Sequence, residues 1–127
     1  MEALIKQTLA AVAADLVPLK EKLDITANIC TKAGQQPTGS ALRELANLAA
    51  TTHSLIAVLT SGDKELYLPE MTDIVLKVCR WMSLCEQFCI TALVTETDHD
   101  MRFQFADILL GVVRLEQPVM RVLSNGC

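Results

Sequence analysis

Apolar residues recur along four stretches of this chain at spacings that alternate between four and three, and that pattern leaves few folds open. The first stretch gives Ile5, Leu9, Val12, Leu16, Leu19, Leu23, Thr26, Cys30 and Ala33. The second gives Leu42, Leu45, Ala49, Thr52, Ile56 and Leu59. Met71, Val75, Val78, Met82, Cys85, Cys89 and Ala92 form the third. Met101, Phe105, Ile108, Val112, Leu115, Val119 and Val122 form the fourth. A strand would alternate at every second residue, and none of these stretches does. A stripe with this period keeps one helix face on its neighbours as the helices wind around each other.

Turn residues fall between the stretches. Gly34, Pro37 and Gly39 mark a first loop, after which Thr38 or Ser40 can cap the second helix. Gly62 ends the second helix, and Pro69 opens the third where its missing N–H costs nothing. Thr97, with Asp100 three residues on, caps the fourth, and Asn125-Gly126 closes it. The spacing predicts helices over residues 2–33, 40–61, 69–96 and 98–124. Comparable lengths and short links predict one domain over residues 1–127, an all-α, antiparallel, up-down-up-down four-helix bundle with heptad-type packing. Pro18 and Pro118 lie inside the pattern and predict kinks, since each removes a backbone hydrogen bond. Pro18 could also split the first helix.

Partners and compartment are bounded by charge and cysteine usage. The net charge of −4 offers no broad basic field for a phosphate backbone, so no nucleic acid is expected. The longest stretch without Asp, Glu, Lys or Arg is Leu45–Gly62, 18 residues. It carries Asn47, His53 and several Ser and Thr that hydrocarbon would penalise, so no membrane span is expected. Met1-Glu2-Ala3-Leu4-Ile5-Lys6 lacks the basic start and unbroken apolar run of a secretory signal. Of five cysteines, Cys79, Cys85 and Cys89 lie within one helical pattern, which suits reduced thiols in a cytoplasmic protein.

Catalytic groups are scarce. Cys85 and Cys89 are four apart on a helix and could share a metal with Cys30 or His53, but both sit where a core hydrophobe is wanted. Glu96 and His99 make a single Glu-x-x-His pair, and no stripe position carries a carboxylate, so the ligand count of a di-iron bundle is not met. His53 flanks the second stripe and reads as a structural histidine. No catalytic residue, metal or cofactor is expected, and the chain is read as a non-enzyme.

The outer faces carry more information. Leu76, Leu84, Ile90 and Val94 point away from the third stripe, as Phe103, Leu110 and Val113 do from the fourth. The outward positions of the second helix lack charge from Asn47 to Ser61, whereas the first presents Gln7, Glu21, Asp24, Asn28, Thr31 and Lys32. A helix apolar on all sides is normally covered on all sides. These seven residues are therefore the expected interface of a self-associating protein, a homodimer by default, which also binds another protein through its helical surfaces. The alternative is a bundle holding a small apolar ligand, or a metal, among Ala49, Thr52, His53, Met82, Cys85 and Cys89.

Overall fold

The computed structural model describes residues 2–61 and 68–125. They form four helices, α1 (Glu2–Lys32), α2 (Gln36–Thr60), α3 (Leu68–Thr95) and α4 (His99–Asn125). Each packs on two others: α1 on α2 and α4, and α3 on α2 and α4. Neighbours run antiparallel. Ala13 meets His53 while Ala27 meets Gly39 across α1 and α2. Phe88 stacks edge-on against Phe105 near one end of α3 and α4, and Cys79 shares a groove with Val119 towards the other. This is the expected all-α four-helix bundle.

The stripe residues make the core. Leu9 to Cys30 of α1, Leu42 to Ile56 of α2, Met71 to Cys89 of α3 and Met101 to Val119 of α4 are buried at every stripe position. Leu59 and Ala92 are half-buried and Ala33 is exposed. Ile74 and Trp81 join from one flank of α3. Thr26 is fully buried, and its hydroxyl has no hydrogen-bond partner.

Local chemistry sets the helix ends. Gly34, at φ 83°, closes α1, with its N–H on Thr31 O at 3.2 Å and the Gln35 N–H on Cys30 O at 2.8 Å. That pair of bonds is the Schellman ending, which favours glycine because it needs a left-handed residue. α2 begins earlier than expected, at Gln36. Pro37 lies in its first turn and no side chain caps it, so neither Thr38 nor Ser40 is the cap. Pro37 fits there because a first-turn residue needs no amide donor. At α4 the cap is Asp98, not Thr97: Asp98 Oδ1 accepts from the N–H groups of Asp100 at 2.8 Å and Met101 at 3.4 Å. α1 runs unbroken through Pro18, and α4 through Pro118. Gly62, Gly126, Cys127 and the side chains of Ile5 and Val122 lie outside the described residues.

The four seams are uneven. α1 and α2 approach most closely, with Ala13, Ala27, Gly39 and Ala46 all buried. A Cβ on Gly39 would collide with Thr31 Oγ1 and stand 3.0 Å from Ala27 O. α2 and α3 share the sparsest seam, where the Trp81 indole donates to Leu45 O at 2.8 Å.

Candidate functional site

All seven residues expected at an interface are exposed, from 41% for Leu84 to 81% for Val94. No part of the described chain folds over them. They do not share one face. Leu84 lies on the α2 side of α3, in a groove with Leu48 and Leu55. Leu76 and Ile90 stand seven residues either side of Ser83, which lines the groove between α3 and α4. Val94 follows Ile90 by one turn, and Val113 precedes Met120 of the same groove by seven residues. Residues seven apart lie on nearly the same side of a helix, so these four belong to the α3–α4 face. Phe103 and Leu110 bracket Asp107, whose carboxylate pairs with Lys22 of α1 at 3.2 Å. They therefore sit on the α1 side of α4.

The structure adds apolar residues that sequence reasoning passed over. Leu48, Leu55, Val17, Ile25, Ile29 and Met120 are also exposed. α1 is thus less polar outside than its Gln7, Glu21, Asp24, Asn28, Thr31 and Lys32 suggest, and Asp24 and Thr31 are half-buried. Leu48 and Leu55 each immediately precede a stripe residue and stand seven apart. That second, weaker repeat is the signal that could have found them.

The groove between α2 and α3 measures about 410 Å³. Its floor is Trp81, 2% exposed, together with Thr52, and Leu48, Leu55 and Leu84 form its walls. Lys77 and Arg80 stand on the α3 side. Lys77 pairs with Asp73 at 3.3 Å in an exposed bridge, while Arg80 has no ion pair among the described residues. The groove between α3 and α4 is about 300 Å³ and differs in charge, with Glu86 and Glu116 both lining it. Hydrogen bonding to Glu116 raises the Glu86 carboxyl above its ordinary range, with burial and the Glu116 charge adding to it. Glu86 Oε1 is buried without a partner.

Of the residues considered for a core ligand, Ala49, Cys85 and Cys89 are wholly buried. Thr52 and Met82 are buried and line the two grooves separately. His53 is half-buried, and its Nδ1 donates to Ala13 O at 2.9 Å, tying α2 to α1. Cys30, Cys79, Cys85 and Cys89 are free thiols. Burial pushes Cys89 up to about 12. It raises Cys85 further, helped by Cys89 and then Glu86. Cys30 is raised by burial and then by Glu96, and Cys79 by burial. A reactive cysteine needs the opposite shift. Glu96 is engaged at the end of α3: Oε1 accepts from the N–H groups of Thr97 and Asp98 at 3.0 Å, and Oε2 from Gln35 Nε2 at 3.4 Å. The Asp98 N–H bond is the main reason its carboxyl lies below the ordinary range. Among the described residues no three His, Cys, Asp or Glu side chains converge to hold a metal ion, and no helix is long and apolar enough to cross a membrane.

Compared with known protein families, curated proteins and solved structures, the chain matches none.

Proposed function

We propose that this chain is a small, non-enzymatic helical interaction and regulatory protein that pairs with a second copy of itself and binds another protein through its helical surfaces. One observation carries the reading. Leu76, Ile90, Val94, Phe103, Leu110 and Val113 are exposed along two helices that pack on each other. Large apolar side chains left exposed on adjoining helix faces mark a surface for association. A stable pairing buries about 800 Å² per partner, an area that two adjacent helix faces can supply. The free thiols at Cys30, Cys79, Cys85 and Cys89 support a reducing, cytoplasmic setting.

Light scattering after size exclusion tests the pairing. At micromolar concentration we expect a mass near twice that of one chain, reduced towards one chain by Leu110→Glu or Ile90→Glu. A monodisperse monomer would remove self-association. Thiol labelling of the folded protein tests the non-enzymatic reading. Uniformly slow labelling at Cys30, Cys79, Cys85 and Cys89 is expected, and one fast thiol among them would reopen catalysis.

A further inference from the structure

We infer that the α2–α3 groove is the docking site for an amphipathic helix of a partner protein, one with an apolar stripe and acidic residues along its flank. The inference rests on the reading of the chain as an interaction protein, and it names the partner's chemistry. Three features of the groove select that occupant.

The first is spacing. Leu48 and Leu55 are seven residues apart on α2, as are Lys77 and Leu84 on α3. At about 1.5 Å per residue the groove therefore runs for roughly 10 Å, two helical turns. Anchors at positions i, i+3 or i+4, and i+7 of an incoming helix cover the same distance.

The second is packing. α2 and α3 share the sparsest of the four seams, and the Trp81 ring is seated between them with its N–H already bonded to Leu45 O. The floor is thus a buried indole with its polar atom satisfied. Exposed Leu48, Leu55 and Leu84 rise around it.

The third is charge. The chain as a whole is acidic, at −4, yet both charged residues lining this groove are cationic. Arg80 has no ion pair among the described residues, and Lys77 has only the exposed bridge to Asp73. Carboxylates beside the incoming stripe would meet both cations, giving register and faster association. The α3–α4 groove, lined by Glu86 and Glu116, would repel the same acidic flank, so this occupant is particular to the α2–α3 groove.

The experiment is a display selection of helical peptides with randomised apolar and charged positions, run against the whole chain. Enriched peptides should carry three anchors at the stated spacing and two or more acids on one flank. Leu84→Glu, and separately the double variant Lys77→Glu/Arg80→Glu, should weaken their binding by about tenfold or more, while Lys32→Glu, a charge reversal at an exposed position of α1, leaves it unchanged. The double variant changes only surface charge, so it reads the groove even if Leu84→Glu fails to fold. Trp81, the only tryptophan, should change its emission on binding. Basic or uncharged winners, no winners, or binding indifferent to both groove variants would overturn the proposal. So would palmitate displacing the peptides while shifting Trp81 emission, which assigns the groove to a lipid carboxylate. If Leu84→Glu instead halves the mass seen by light scattering, a second copy fills the groove. The helix proposal then fails and self-association stands; loss of pairing in Leu110→Glu alone leaves the helix proposal intact.

Discussion

The indole N–H of Trp81 donates to the carbonyl oxygen of Leu45 at 2.8 Å, so α3 hangs on α2 by a backbone acceptor buried in the bundle. The same ring floors the groove proposed to receive a partner. Trp81→Phe removes the donor and part of the ring's volume. It should lower unfolding stability by roughly 1–2 kcal/mol, measured by urea titration with far-UV circular dichroism. An unchanged midpoint would mean that the bond adds nothing.

Two helical glycines should respond differently to alanine. At Gly39 a Cβ meets Thr31 Oγ1 and the Ala27 backbone oxygen at 3.0 Å, and backbone cannot step aside. Gly39→Ala should destabilise by about 1–3 kcal/mol despite the better helix propensity of alanine. At Gly111 the Cβ meets Leu19 Cδ2 at 2.5 Å, the far end of a flexible side chain. Gly111→Ala should fall within about 1 kcal/mol of wild type, as the propensity gain offsets a small shift of Leu19. Thermal melts of the two variants give the comparison.

Thr26 holds a hydroxyl in the core with no partner. Thr26→Val keeps the shape and removes the unsatisfied group. It should raise stability by roughly 0.5–1.5 kcal/mol, read from the denaturant midpoint at unchanged slope. A loss would show that the hydroxyl is satisfied in solution.

Glu86, beside Glu116, should give the fold an acid-side advantage. A carboxyl raised in the folded state binds its proton more tightly there than in the unfolded chain. The stabilisation is fully present below the ordinary carboxylate value and is lost as pH rises through the raised one. Glu86→Gln should therefore stabilise at pH 7 by about 0.5 kcal/mol, a small figure because the pair is partly solvated. The advantage should shrink as pH falls and the Glu86 carboxyl takes up its proton. Melts of wild type and variant across that range test the sign.

The stripes were legible because burial in a bundle follows the heptad period residue by residue, from Leu9 to Val119. The start of α2 was not, because Pro37 reads equally as loop or first turn, and the choice depends on Gly39 finding α1. The cap at Asp98 was hidden among adjacent candidates, Thr97 and Asp98, that differ only in where the backbone turns. The exposed character of Leu76, Leu84, Ile90, Val94, Phe103, Leu110 and Val113 was legible from their angle to the stripe. Their division among three faces was not, since it depends on which neighbour each flank meets. The α2–α3 groove was illegible for a related reason. Its width follows from the separation of two helices, and no single residue encodes that distance.

That separation bears on how the fold breathes. α1 and α2 are held by small residues at close range, by His53 on Ala13 O, and by Arg43 on Asn28. The boundary between α2 and α3 has fewer such ties, and local opening draws first on the least-packed boundary. Amide protons along that edge should be the first to trade with solvent, and a visiting helix would enter by widening a crevice already ajar.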